Sequence, residues 1–400
     1  MTDVAERLEE LRDRGLHRRL RLVEGPQGPR VLLDGRQVLL LCSNDYLGLA
    51  GHARVREAAA EAATRWGAGA GASRLISGNM EPHRRLEQRL AAFKGYEAAL
   101  LFGSGYLANL GTISVLAGRG EVVFSDELNH ASIIDGCRLS RAETFVYRHG
   151  DVEHLEWGLR EVGGRGSLIV SDGVFSMDGD VAPLEGLVKL ARQHGCRVMV
   201  DEAHATGALG PGGRGSVAAA GLSGEVDLVM GTLGKALGSY GAYVCAGEEL
   251  REYLVNAARS FVFSTALPPP VLAASLAALE LLEAGPQLVG QLGENAAVLR
   301  DALAAEGIPA GGSQTQIVPL EVGDAELTMA LCERLLERGI FAQGIRPPTV
   351  PEGSSRLRFT VMATHGAEQL QDAAKLIGNA ARELGISPRA APAGPLAVAA

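Results

Sequence analysis

One lysine stands out for its setting. In Asp227-Leu-Val-Met-Gly-Thr-Leu-Gly-Lys-Ala-Leu-Gly-Ser-Tyr240 a short apolar run breaks into glycines, and Lys235 sits between Gly234 and a second small-residue cluster. Leu228-Val229-Met230 has the character of a fully buried strand. Gly231, Gly234 and Gly238 permit tight turns and the close approach of a planar ligand. Lysines in such places are often desolvated, which frees the amine as a nucleophile. Taken alone, the stretch fits an ordinary loop lysine equally well. It does not fit a phosphate-binding P-loop, whose first glycine would fall at Val229 and whose magnesium-binding Ser/Thr is replaced by Ala236.

Lys235 has company at other strand ends. Strands are expected at 121–124, 143–147, 167–170, 197–200, 227–230 and 241–244, alternating with helices at 131–138, 152–161, 184–194 and 248–257. That alternation with short connections predicts a mostly parallel sheet covered by helices on both faces. In such sheets ligands bind beyond the carboxyl ends of the strands. There the chain places Asp126-Glu-Leu-Asn-His130-Ala-Ser132, then Ser171-Asp-Gly-Val-Phe-Ser176-Met-Asp178-Gly179, then Asp201-Glu-Ala-His204-Ala-Thr206, then Thr232 and Lys235. A helix cap explains His130 alone, and a satisfied loop histidine explains His204. Capping does not explain an imidazole, a hydroxyl, an Asp–His pair and a lysine together.

Pyridoxal 5'-phosphate wants this set. It needs a lysine as covalent anchor and a carboxylate that keeps its ring nitrogen protonated, which makes the ring an electron sink. A donor near the phenolic oxygen, a group stacked on the ring and a helix N-terminus for the phosphate complete the site. Lys235, Asp201, His204, His130 and the helix start at Gly103-Ser-Gly105 supply them.

The motifs Ser43-Asn-Asp-Tyr-Leu-Gly48, Asn129-His130-Ala-Ser132, Asp172-Gly-Val-Phe-Ser-Met-Asp-Gly179, Asp201-Glu-Ala-His204 and Gly231-Thr-Leu-Gly-Lys235 span nearly the whole chain. With them the chain resembles the α-oxoamine synthases, fold-type I pyridoxal-phosphate enzymes that condense an amino acid with an acyl thioester and lose carbon dioxide. Within that group, Ala342-Gln-Gly-Ile-Arg-Pro-Pro-Thr-Val-Pro351 and the N-terminal arginine cluster resemble the biotin-pathway member. The resemblance implies a PLP-dependent acyltransferase acting on L-alanine and pimeloyl-CoA or pimeloyl-acyl-carrier protein. It also implies a cytoplasmic homodimer with shared active sites. Lys235, His130, Asp201 and His204 are the catalytic residues it implies. Gly105, Tyr106, Ser176, Thr232, Ser264 and Thr265 join Asp201, His204 and Lys235 in holding the cofactor, Ser264 and Thr265 from a second subunit. Arg18, Asn44, His130, Thr349 and Arg358 contact substrate. Arg356 shares the strand face of Arg358, and any arginine of the 17–21 cluster competes with Arg18. Glu202 stands where the family often has aspartate, which leaves Asp201 and His204 in place. The sister alternative is glycine C-acetyltransferase or another α-oxoamine synthase using glycine or serine. A non-catalytic partner subunit would be expected to lack Lys235. A nucleotide-binding oxidoreductase would need a G-x-G-x-x-G after a strand, and Gly67-Ala-Gly-Ala-Gly71 follows a helical stretch instead.

The elements around these residues follow from periodicity and turn chemistry. A charged amphipathic helix is expected over about 3–21, ending in His17-Arg18-Arg19-Leu20-Arg21, and a hairpin over 31–41 around Asp34-Gly35. The expected organisation is an N-terminal segment over 1–50 and a large three-layer αβα PLP-binding domain over 51–284. A smaller α+β domain over 285–388 and a disordered tail over 389–400 follow. The small domain is read as helices at 288–306 and 369–384 with strands at 316–320 and 356–361. A chain of 400 residues, 46% hydrophobic and 21% charged, suits this class. A net charge of −9 gives no reason to expect nucleic acid or an anionic membrane as partner. Five scattered cysteines without C-x-x-C spacing suggest reduced thiols, no zinc site and no other metal. The acidic N-terminus reads as no signal peptide, and the apolar stretch 271–282 is too short to span a membrane.

Overall fold

The computed structural model describes residues 3–309 and 311–386, so the tail expected to be disordered lies outside the described residues. The described residues fall into two compact units. One comprises Asn44–Ser176 with Asp180–Gly290. The other takes the described residues of Met1–Ser43, Met177–Gly179 and those from Gln291 onward.

The larger unit is built on a seven-stranded sheet. Its spatial order is Ala98–Phe102, Ala242–Ala246, Leu228–Thr232, Arg197–Asp201, Gly166–Asp172, Val122–Asp126 and Glu143–Tyr147. Only Ala242–Ala246 runs against its neighbours; the other pairings are parallel. Parallel strands buried on both faces carry apolar residues at successive positions, and the pleat sends them alternately to opposite sides. Leu168, Val170, Met199, Leu228 and Met230 accordingly enter one core cluster. Their neighbours Ile169, Val198, Val200 and Val229 enter another. Helices Gly105–Leu116 and Ala131–Ser140 contribute to the first cluster, and helices Val152–Glu161 and Leu184–His194 to the second. This is the expected α/β layering.

Five strands of this sheet end later than expected, three of them on Asp126, Asp172 and Asp201. Each terminal carboxylate accepts from backbone N–H groups at the start of a loop: Asp126 from Leu128 and Gly150, Asp172 from His130, Asp201 from Ala203. The carboxylates therefore belong to the ladder ends.

The smaller unit contains two sheets. Val23–Glu24, Arg30–Leu33, Arg36–Leu40 and Ile340–Phe341 form one, and Ile317–Gly323, Ser355–Thr360 and Gln343–Ile345 the other. The hairpin turns at Asp34-Gly35, both with positive φ, as expected for that dipeptide. The N-terminal helix is shorter than expected: it spans Val4–Asp13, and the basic cluster lies beyond it. Gly15 at φ 63° accepts the left-handed turn, with Leu16 N–H donating to Leu11 O and Gly15 N–H to Arg12 O. That pair of bonds is a Schellman stop. Helix Ala325–Glu337, capped by Asp324, was not anticipated from the sequence.

Two charge clusters, one buried and one partly buried, fix the loops at the strand ends. Lys94, the last residue of helix Glu81–Lys94, is 2% exposed and ion-paired with Glu202, which is 0% exposed. Its ammonium also donates to Thr206 Oγ1 and to the carbonyl of Arg214. Glu202 Oε1 accepts from Ser216 Oγ at 2.9 Å and Val217 N at 2.7 Å. The glutamate thus ties the Asp201–His204 turn to the 211–217 loop. A Cβ on Gly215 would lie 2.2 Å from Glu202 Oε2, so that carboxylate requires a glycine there.

His149 makes the second cluster. Its Nδ1 faces Asp126 at 3.0 Å and its Nε2 faces Asp180 at 2.8 Å, with the ring edge-on to Phe175. Desolvation opposes its charge, but the hydrogen bonds and charges of the two carboxylates outweigh it and raise the pKa to about 10.

Lys94→Met should leave Glu202 buried without its cation and cost about 3–5 kcal/mol in urea denaturation. A loss below about 1 kcal/mol would contradict the pairing. For His149 the folded pKa lies above the unfolded one, so its stabilisation is complete below about pH 6.5 and declines as pH rises towards about 10. The stability gap between wild type and His149→Gln, measured by denaturant titration, should therefore be widest near pH 6 and narrow by pH 10. A constant gap would contradict the clamp.

Candidate active site

The Lys235 loop follows strand Leu228–Thr232 and turns back at Gly238. Thr232 Oγ1 accepts from Gly234 N and donates to the Gly241 carbonyl, closing the base of the loop. The glycines answer to protein contacts. A Cβ at Gly231 would lie 2.3 Å from Tyr243 Oη, and one at Gly238 2.3 Å from Ala50 N. Close approach is needed, as expected, but at these two positions the approaching atoms belong to this chain. Gly238 thereby seats the loop against the Ser43–Ala50 segment. Asp45 shapes that segment by accepting from Leu49 N at 2.9 Å and Ala50 N at 3.2 Å.

These two loops and the Asp201–His204 turn meet in one polar series. Lys235 Nζ lies 2.7 Å from His204 Nε2, His204 Nδ1 lies 2.6 Å from Tyr46 Oη, and Tyr46 Oη donates to Asn44 Oδ1 at 3.1 Å. Tyr46 is fully buried and His204 nearly so.

A second series leads away from Asp201. Asn109 Nδ2 donates to Asp201 Oδ2 at 2.7 Å and to Ser132 Oγ at 2.9 Å. Ser132 Oγ lies 2.7 Å from His130 Nδ1, which caps helix Ala131–Ser140. His130 N–H donates to Asp172, whose backbone N–H donates to Asn129 Oδ1. Asp172 and Asp201 are register partners on adjacent strands. Burial, then repulsion from Asp201, raises the Asp172 pKa well above the usual carboxylate range. His130 is shifted down, chiefly by desolvation from the surrounding chain; Lys235 adds to the shift and Asp201 opposes it. Asn109 and Tyr46 were not singled out in the sequence. Asn109 could have been: it is a buried amide in a helix, Gly105–Leu116, that is otherwise nearly all apolar.

The remaining expected residues are spread more widely. Gly105 and Tyr106 open helix Gly105–Leu116, capped by Ser104, and Tyr106 Oη donates to Asp135. Ser176 lies in the loop closed by the Val174–Val181 bridge. Ser264 and Thr265 line a small cavity with Arg74 and His83, and Thr265 bridges to Ser73. Arg18, Thr349 and Arg358 belong to the smaller unit. Arg18 and Thr349 are exposed; Arg358 is buried on strand Ser355–Thr360. Arg356 donates to Asp178 and to the Ser354 carbonyl, so its guanidinium serves a structural pair.

The donor set suits pyridoxal phosphate. Its aldehyde would find an amine at Lys235, its ring nitrogen a buried carboxylate at Asp201, and its phenolic oxygen an imidazole at His204. Its phosphate would find a glycine-opened helix start at Gly105. Asp201 is already held by Asn109 and by Ala203 N–H, so its carboxylate keeps its orientation without the cofactor. Among the described residues no group of three or more His, Cys, Asp or Glu could hold a metal ion.

Comparison with known proteins shows the family. The chain matches the family described as aminotransferase class I and II over residues 36–377. It is 56% identical to the 8-amino-7-oxononanoate synthase of Citrifermentans bemidjiense, over 96% of this chain and 100% of that one. It is 57% identical to the enzyme of the same name from Geobacter sulfurreducens, over 96% and 99% of the two chains. A solved serine palmitoyltransferase from S. paucimobilis with bound PLP–myriocin aligns at a TM-score of 0.91 and 34% identity, covering 96% of this chain and 98% of that one. The lysine beyond one strand end, the buried carboxylate at the end of the neighbouring strand and these near full-length matches lead to one conclusion: the chain belongs to the class I and II aminotransferase family, in the group of the 8-amino-7-oxononanoate synthases.

Proposed function

We propose that this chain condenses L-alanine with a pimeloyl thioester, giving 8-amino-7-oxononanoate, carbon dioxide and the free thiol carrier, in biotin biosynthesis. Pyridoxal 5'-phosphate is its cofactor. The observation that carries the reading is the 56% identity to a synthase of that name over 96% of this chain. The thioester is pimeloyl-CoA or pimeloyl-acyl-carrier protein.

The bound cofactor supplies an electron sink that lets the amino acid's α-carbon lose a proton and attack the thioester carbonyl. The residues of this chain supply the rest. Lys235 anchors the cofactor, and its amine, once displaced by the incoming substrate, is the base for the α-proton. Asp201, kept in place by Asn109 and the Ala203 N–H, holds the proton on the ring nitrogen. His204 and Ser176 serve the phenolic oxygen, and His130 the ring face. Gly105, Tyr106 and Thr232, with Ser264 and Thr265 of a second subunit, hold the phosphate. Asn44, His130, Arg18, Thr349 and Arg358 hold the substrates. Arg358 takes the amino acid carboxylate in this reading.

A homodimer and a cytoplasmic location belong to the same proposal. Five free cysteines favour a reducing compartment. Among the described residues no single helix is long and apolar enough to cross a membrane. The likeness to serine palmitoyltransferase favours one second reading, a sister synthase that uses serine.

Turnover with L-alanine, glycine and L-serine, each with pimeloyl-CoA and palmitoyl-CoA, separates the readings. Alanine with pimeloyl-CoA should be the best pair, and Lys235→Ala should lower its rate by at least about 10²–10⁴-fold. Preference for serine with palmitoyl-CoA would move the chain to the sister activity. A Lys235→Ala variant working near the wild-type rate would overturn the site.

A further inference from the structure

The hydrogen bonds behind Lys235 have a direction. An ammonium group has donors and no acceptor. With Lys235 charged, its 2.7 Å contact therefore needs His204 Nε2 without a hydrogen. A neutral imidazole bare at Nε2 carries its hydrogen on Nδ1, where it donates to Tyr46 Oη at 2.6 Å. The Tyr46 hydroxyl donates in turn to Asn44 Oδ1 at 3.1 Å. Lys235, His204 and Tyr46 thus each donate to the next residue, and the series ends on Asn44 Oδ1.

We propose that Tyr46 is a positioning residue of this site, whose hydroxyl oxygen holds His204 as the Nδ1–H tautomer so that Nε2 can take a proton from Lys235 and return it. The inference deepens the reading above and rests on its lysine. Moving a proton from Lys235 Nζ to His204 Nε2 leaves a neutral amine and an imidazolium. The Nδ1–H of that imidazolium keeps the same bond to Tyr46 Oη, so no heavy atom moves. That bond becomes charge-assisted and stronger as the proton arrives, so Tyr46 favours the transfer. The hydroxyl is placed in advance: Asp45 fastens its loop through Leu49 and Ala50, and Gly238 brings the Lys235 loop against the same segment.

His130 and Asp172 both feel the charge of Lys235, and Asp201 acts on both of them. Tyr46→Phe leaves them unchanged and keeps the buried ring, so it isolates the hydroxyl.

The test uses the full-length chain, labelled with ¹⁵N and stripped of cofactor with hydroxylamine, so neither readout depends on which substrates the enzyme takes. Imidazole ¹⁵N spectra at neutral pH, with His204 identified by its loss in His204→Asn, should show Nδ1 protonated and Nε2 bare. In Tyr46→Phe the population should shift towards Nε2–H. The Lys235–His204 pair should also hold its protons less tightly in Tyr46→Phe. The midpoint of the pH–rate curve for chemical modification of Lys235, followed by peptide mass, should then fall by about one pH unit. A thermal midpoint within a few degrees of wild type shows that the variant is folded. Protonated Nε2 in the wild type would overturn the proposal, as would a folded variant with both readouts unmoved. If the variant does not fold, the wild-type spectrum decides alone.

Discussion

At the end of strand Arg197–Asp201 a carboxylate sits almost wholly out of water, 3% exposed, and much of the larger unit is arranged around it. Burying such a group is unfavourable unless its oxygens find donors. Asn109 takes one oxygen and Ala203 N–H the other. The next strand end places a second acid, Asp172, directly alongside. Repulsion between the two, added to burial, falls on Asp172, whose pKa rises well above the usual carboxylate range. A buried acceptor with its orientation already set is what a cationic ring nitrogen requires. Preorganisation of this kind spares the site from rearranging when charge develops.

The surrounding loops are held by devices of matching strength. Glu202, the residue after Asp201, points into its own buried ion pair with Lys94 and ties the turn to the 211–217 loop. His149 joins Asp126 to Asp180 and so secures two further strand-end loops. Glycines at 215, 231 and 238 stand where a Cβ would collide with Glu202, Tyr243 or Ala50. Rigid packing of polar groups is the common theme. Lys235, His204 and Tyr46 inherit their short contacts from it.

The sequence made the frame readable because period-two burial and strand-end chemistry are local signals. Lys235, Asp201, His204 and His130 could be read as a set since each follows a strand of the same sheet. The pairings of Asn109 and Tyr46 could not be read, because their partners Asp201 and His204 lie 92 and 158 residues away along the chain. Glu202 looked like a tolerated substitution for aspartate, whereas its side chain meets Lys94, Ser216 and Val217. Register puts Arg356 and Arg358 on one strand face, and the bond from Arg356 to Asp178 is a tertiary contact that register does not show. The N-terminal helix was read too long because its charged pattern continues past Gly15, where the backbone turns left-handed.

The most direct test of the central claim is to reduce the freshly purified protein with borohydride and map the modified peptide by mass spectrometry. The account predicts a pyridoxyl phosphate group on Lys235, with little on the other lysines. Label on a different lysine, or no label after incubation with excess cofactor, would contradict it.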